Sequence, residues 1–178
     1  MINDKTMQRI KQILLEDEGL YIKKYKCSKG IDTIGIGFAE TFGFPNAIKT
    51  ITGVNSFKEL DAITEEQALS ILEYQVRYFE DKINNAFDWY KYKSQSTKAV
   101  IINIVFNIGL SGFSKFKNTI NALERDDMMS ASRELLDSSY FSDVKGRALK
   151  NAIILLTQDI YIDKDDTDLL YKVIEKRL

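Results

Sequence analysis

The stretch Glu16 to Phe38, EDEGLYIKKYKCSKGIDTIGIGF, constrains the fold of this chain more than any other. A helical pattern ending in acidic residues stops at Gly19, a residue suited to the left-handed conformation that closes helices. The chain then runs from Tyr21 to Lys26, turns through Cys27-Ser28-Lys29-Gly30 and returns as Ile31 to Phe38. Short β-branched and apolar runs on either side of a Gly-containing turn predict a β-hairpin. Gly35 and Gly37 in the return strand need a cause, because Gly weakens a strand interior, and a close approach by backbone or substrate supplies one. A hairpin folded back beside a helix end would aim Glu18, Cys27 and Thr33 at one place.

The flanking sequence predicts helices. Met7, Ile10, Ile13 and Leu14 share one face of a first helix that Asp4 or Thr6 can cap, which leaves Glu18 at the negative end of its dipole. Phe38 to Asp61 reads as loop with a short helix or irregular cover, and carries Gly43, Pro45 and Gly53. Thr64-Glu65-Glu66-Gln67 is a capping box. Behind it, Ala68, Ile71, Leu72, Val76, Phe79 and Ile83 keep the helical period, and about twenty residues at ~1.5 Å each span ~30 Å. Ser96 to Ile108 is apolar nearly all round, which predicts a buried helix ended by Gly109, and Asn103 within it needs a hydrogen-bond partner. Phe113, Phe116, Ile120 and Leu123 continue an apolar face. Asp126 or Asp127 can cap a helix to Leu136, and Asp143 another to Thr157. Trp89, Tyr90 and Tyr92 read as core or hinge packing rather than a sugar surface.

Composition removes whole classes of chemistry. The chain has no histidine, which excludes Ser-His-Asp and Cys-His nucleophile systems and every His-ligated metal. Its single cysteine excludes an internal disulfide and a Cys-rich zinc site, and fits folding in a reducing compartment. With 178 residues, 44% of them hydrophobic, and a net charge of −1, the chain can bury a core and has no global attraction to nucleic acid. The local exception is Lys23, Lys24, Lys26 and Lys29 on the hairpin, a solvated face or an attraction for an anionic polymer. No uninterrupted apolar run approaches the roughly 18 residues of a membrane span. The first fifteen residues mix charged and apolar residues, so no secretory signal is expected. The acidic run Asp163, Asp165, Asp166 and Asp168 fails the calcium-loop pattern, because Asp168 stands at the glycine position and Ile174 at the final glutamate position. Glu40 at the third glycine position rules out a dinucleotide loop after Gly35 and Gly37.

Glu-Gly-Leu, then Tyr-Lys, then Thr-Ile-Gly-Ile-Gly resembles the phage lysozymes of glycoside hydrolase family 24, the T-even phage type. The family spacing of Glu, eight residues, Asp, five residues, Thr falls here on Glu18, Cys27 and Thr33, with Cys in place of Asp. The resemblance resumes at Asn103-Ile104-Val105-Phe106-Asn107-Ile108-Gly109 and around Arg147-Ala148, covering roughly Leu14 to Tyr161. Phe38 and Gln75 stand where the family commonly has a paired His and Asp, so the pair is lost as a unit.

The resemblance implies an α+β, mostly helical fold. A small hairpin lobe (about 18–62) would be joined by a long helix (about 64–84) to a helical lobe (1–15 plus 85–161), with the active-site cleft between them. Residues 1–161 would form one domain, and 162–178 an acidic tail or short helix. It implies an inverting muramidase, an endolysin cutting the β-1,4 bond between N-acetylmuramic acid and N-acetylglucosamine. Glu18 would be the general acid, Arg147 its support, and Thr33 the holder of the attacking water. Asn103, Phe106 and Asn107 would bind substrate or support the site. Cys27 occupies the water-activating position, where it could serve as base, as nucleophile, or only as filler. The expected partner is the peptidoglycan glycan strand, met by a monomer with no metal or other cofactor, no nucleic acid and no stable membrane insertion. The chain would be made in a bacterial host cytoplasm and reach the wall after holin-type release or within a virion. The alternative is a catalytically impaired wall-binding or phage tail module.

Overall fold

The computed structural model describes residues 1–162; the acidic segment expected from Asp163 onward lies outside the described residues. The fold is α+β, with helices α1 to α8 and a three-stranded antiparallel sheet in the order β1-β2-β3. The chain divides into two compact units, one of residues 10–78 and one of residues 1–9 with 79 onward. The division falls within two helices, α1 (Asp4–Glu18) and α3 (Glu65–Ala86).

The unit of residues 10–78 holds the sheet. Strand β1 (Tyr21–Lys26) pairs with β2 (Asp32–Gly35), which pairs with β3 (Phe38–Ala39). The expected single return strand is therefore two. Gly35 and Gly37 have φ of +67° and +70° and turn the chain between β2 and β3, conformations that glycine adopts without steric cost. A close approach also exists, since a Cβ on Gly35 would stand 3.1 Å from Ile63 Cδ1. Helix α2 (Asn46–Thr52) and two short 3-10 turns cover the sheet. Their core gathers Phe38, fully buried, with Phe42, Phe44 and Phe57 at ring distances of 5.8, 6.2 and 5.6 Å. An aromatic core explains how Phe fits at position 38. Gln75 is buried with its Oε1 unbonded, so the second replaced position keeps a polar atom in the interior.

Helix α3 starts as expected. The Thr64 N–H donates to Gln67 Oε1 (2.9 Å), and the Gln67 N–H donates to Thr64 Oγ1 (3.1 Å). Helix α1 starts differently: the cap is Asn3, whose Oδ1 accepts from the Thr6 N–H at 2.8 Å, so neither Asp4 nor Thr6 has that role. Asn3 precedes both candidates and leaves Asp4 in the first turn, where its charge suits the dipole.

The other unit is built on α4 (Gln95–Phe113), capped by Ser94 and kinked at Gly109, whose φ is +74°. Gly109 bends the helix where termination was expected. Ile101, Ile102, Ile104 and Val105 are fully buried. By length and composition α4 could cross a bilayer, although 61% of its apolar window is buried inside the protein. Counting uninterrupted apolar runs missed it, because Asn103 and Asn107 break the run without reducing its mean hydropathy enough. The remaining helices are α5 (Lys117–Glu124), α6 (Met128–Leu136), α7 (Ser139–Asp143) and α8 (Lys145–Thr157). Asp127 caps α6 through the Ser130 N–H at 3.0 Å. Asp143 caps nothing; it ends α7, and α8 begins after Val144 without a side-chain cap. Asn103 finds its partner across α4 and α8, accepting from Asn151 Nδ2 at 2.9 Å in a buried pair.

The two units differ in how much apolar surface protects their backbone. The α4 amides sit in the driest core, while β1 is mostly exposed. Native-state hydrogen exchange should therefore show higher protection in α4 than in β1 and β2. Equal protection would contradict this ranking of local stability.

Candidate active site

Glu18 is the last residue of α1. The helix ends there because Gly19 takes φ +75° while its N–H donates to the Leu15 carbonyl at 2.9 Å. A side chain at 19 would meet a second obstacle, since a Cβ would stand 3.2 Å from the Tyr21 ring. Glycine at this position thus turns the chain directly from Glu18 into β1.

The hairpin places the next two residues. Tyr25 lies opposite Thr33 and Lys26 opposite Asp32, whose carboxylate pairs with Lys26 Nζ at 2.8 Å. The turn closes through the Cys27 N–H on the Ile31 carbonyl (3.0 Å) and the Gly30 N–H on the Cys27 carbonyl (2.8 Å). The Thr33 hydroxyl donates to that same Ile31 carbonyl at 3.1 Å, and Thr33 is only 3% exposed. Cys27 is half-exposed, and the backbone N–H groups of Lys29 and Ile31 and the Thr33 hydroxyl lie around its sulfur. Those donors, led by the two backbone groups, hold the thiol below its ordinary pKa, and the Lys29 charge adds the least. Of the hairpin lysines only Lys29 is among the causes; Lys24 and Lys26 are not. Lys26 is paired with Asp32, and Lys24 lies 3.7 Å from Asp61 and donates to the Lys58 carbonyl at 3.3 Å.

The Thr33 hydroxyl has one proton and two acceptors, the Ile31 carbonyl and the sulfur. Ionising the thiol adds a charged acceptor, and hydrogen bonds to ions are the stronger ones. Thr33 is thus coupled to the charge state of Cys27.

Tyr25 belongs with these residues, although motif reasoning passed over it. Burial first, then the charges of Glu18, Tyr21 and Cys27, raise its phenol above the ordinary value, so Tyr25 lies within electrostatic reach of both candidate catalytic groups. A signal was present: Tyr25 stands two residues before Cys27, on the strand that leads into the turn.

Glu18, Cys27 and Thr33 all fall in the unit of residues 10–78; Arg147, Asn103, Phe106 and Asn107 fall in the other. Arg147 is half-buried on α8, Asn103 is committed to Asn151, and Phe106 packs edge-on against Phe79 with ring centroids 5.8 Å apart. Asn107 lies beside them on α4, half-buried. Tyr90 is buried at 1% exposure, as expected of core packing, while Tyr92 is 79% exposed. Among the described residues no group of three or more His, Cys, Asp or Glu could hold a metal ion.

Comparison with known proteins gives the family. The profile of the family described as Phage lysozyme matches residues 15–153, most of the chain. The chain belongs to the phage lysozyme family. Among curated relatives, it is 24% identical over 171 residues to the pre-baseplate central spike protein Gp5 of Enterobacteria phage T4, an alignment covering 89% of this chain and 29% of that protein. The chain thus spans less than a third of the length of that relative. It is 29% identical over 151 residues to the probable T4-type lysozyme 2 of Dictyostelium discoideum, covering 78% of this chain and 88% of that protein. The family match runs through Glu18, Cys27 and Thr33 as well as Arg147.

Because the donors around sulfur are fixed dipoles, the thiolate they stabilise should persist above the lowered thiol pKa and disappear as pH falls through it. The rate of iodoacetamide alkylation, followed against pH, should show a midpoint below the ~8.5 of a free thiol. Thr33→Val should move that midpoint upward. A midpoint at or above the free value would show that the donor set does not act on the sulfur.

Proposed function

We propose that this lysozyme-family chain is an active muramidase, hydrolysing the β-1,4 bond between N-acetylmuramic acid and N-acetylglucosamine in peptidoglycan. The observation that carries the reading is the set Glu18, Cys27 and Thr33, at the family spacing, with the sulfur held among hydrogen-bond donors.

In this reading Glu18 protonates the leaving oxygen. The Cys27 thiolate takes a proton from water, which attacks the anomeric carbon with inversion. Thr33 orients the sulfur and, through its free lone pair, the water. A lowered thiol pKa makes a weaker base, but more of it is ionised near neutral pH, and catalytic efficiency depends on the product of the two. Arg147 is a support residue, with Asn103, Phe106 and Asn107 in the substrate-binding or structural shell. The substrate lies in the bacterial wall, which the chain would reach by holin-type release or as part of a virion.

A second reading has its own observation. The T4 spike protein contains a stretch similar to 89% of this chain within a much longer protein, so a lysozyme-like module can be part of a larger assembly. A tail or wall-binding module with weakened catalysis would fit that pattern.

Clearing of outer-membrane-permeabilised cells separates the two. Wild type should clear, and Glu18→Gln should fall below a tenth of its rate with an unchanged melting temperature. A Gln variant that clears faster than that removes Glu18 as the acid, and a wild type that does not clear favours the module.

Product stereochemistry tests Cys27. NMR of freshly released ends should show inversion, and Cys27→Ser should be at least ~10²-fold slower, the lower range for a lost general base. Retention would make the sulfur a nucleophile forming a thioglycoside, and a fully active Ser variant would leave it with no chemical role.

A further inference from the structure

Four residues along a regular strand separate two side chains by roughly 13 Å. Tyr21 and Tyr25 are four residues apart on β1, yet their ring centroids are 4.3 Å apart at an interplanar angle of 35°. The register explains the difference. Tyr21 lies opposite Gly35 and Tyr25 opposite Thr33, so four steps on β1 face two on β2. The surplus residues leave the β2 ladder and bond elsewhere. The Ile63 N–H donates to the Ile22 carbonyl at 2.9 Å, the Lys24 N–H to the Asp61 carbonyl at 3.3 Å, and Lys23 bridges to Ala62. Bulges of this kind re-aim side chains, often beside active sites.

The pair brought together here does not serve the core. Tyr21 is 48% exposed and its neighbour Ile22 is 50% exposed, in a strand that is mostly at the surface. An aromatic ring that could bury 150–250 Å² is instead left half in water. Its position is specific. The Tyr21 ring lies against Gly19, the residue after Glu18, while Tyr25 sits across from Thr33 and two residues before Cys27. The two rings thus lie beside sequence neighbours of the candidate acid and the candidate base, and the charges of both act on Tyr25.

We propose that Tyr21 and Tyr25 form a stacking platform for one pyranose ring of the glycan, next to the sugar whose bond is cut. The C–H face of a pyranose is apolar with hydrogens of partial positive charge, which complements the negative face of an aromatic ring. The phenol hydroxyls offer donors and acceptors to the sugar's equatorial hydroxyls. Each ring is rigid, so little entropy is lost on binding. The proposal rests on the glycan-cleaving reading and adds to it a binding residue, Tyr21, outside the Glu18, Cys27 and Thr33 set.

The test uses the full chain and a purified peptidoglycan tetrasaccharide, with binding measured by calorimetry and turnover by cell clearing. Tyr21→Ala should weaken tetrasaccharide binding about tenfold, the size expected of one lost aromatic stacking contact. It should raise KM with a smaller change in kcat. Tyr21→Trp should restore binding, and Tyr92→Ala, which removes a more exposed ring from the other unit, should match wild type. If wild type clears cells and Tyr21→Ala binds and turns over unchanged, the platform is wrong and the muramidase reading stands. If wild type binds through Tyr21 without clearing, the platform stands and the muramidase reading falls. If wild type neither clears nor binds, both fall. Should Tyr21→Ala not fold, the wild-type ring resonances of Tyr21 and Tyr25 decide: no shift at saturating tetrasaccharide overturns the platform.

Discussion

One backbone carbonyl fixes the geometry of the candidate site. The Ile31 oxygen accepts from the Cys27 N–H at 3.0 Å and from the Thr33 hydroxyl at 3.1 Å. The first bond closes the hairpin turn, and the second holds the Thr33 side chain that acts on the sulfur. Both use one acceptor with two lone pairs, so the sulfur's position and the turn's shape are not independent. A substitution that widened the turn would move Cys27 relative to Thr33 before it altered the sheet. Gly30, at φ +74° with nothing within 4 Å of a hypothetical Cβ, is required for its backbone conformation and not for space.

Local features of the fold were legible in the sequence. The capping box at Thr64 and Gln67 needs only residues within one turn, and both of its bonds form. Gly19 ends α1 for a similarly local reason. Errors arose where several residues could do one job or where partners lay far off. Asn3, Asp4 and Thr6 can all cap a helix, and composition alone does not rank them; tertiary contacts around the first residues do, with the Ile2 N–H held by Glu80 at 2.6 Å and the Asn3 N–H by Gln95 at 2.9 Å. The short α7 took Asp143 because five residues ending in Asp carry too little periodicity to announce a helix.

The site was legible as a set of residues and not as an electrostatic arrangement. The family resemblance picked out Glu18, Cys27 and Thr33, and the structure puts them in one unit. It could not reveal the β1 bulge, which depends on hydrogen bonds to residues 61–63, about forty positions downstream. Without the bulge, Tyr21 and Tyr25 would read as ordinary alternate positions of a strand, one of them conspicuous only for its exposure.

The lysines show why proximity in sequence misleads about charge. Four lie within seven residues of the hairpin, and simple counting makes them the obvious stabilisers of a thiolate. An exposed ammonium acts through water, where a unit charge at 4 Å is worth about 1 kcal/mol before salt screening reduces it. A nearby carboxylate reduces it further, as Asp32 does for Lys26 at 2.8 Å. The N–H groups of Lys29 and Ile31 carry only partial charges, but they act on the sulfur at close range and the turn fixes their direction. Contact and orientation outweigh formal charge here. The same donors would suit a carboxylate, which explains how a turn shaped for the family's Asp can accommodate Cys. The difference lies in the ion itself. A thiolate spreads its charge over one large atom, whereas a carboxylate offers two oxygens, so a water held at Cys27 has a single acceptor and depends more on Thr33 for its direction. In the proposed mechanism the threonine would therefore carry a larger share of the positioning than it would beside an aspartate.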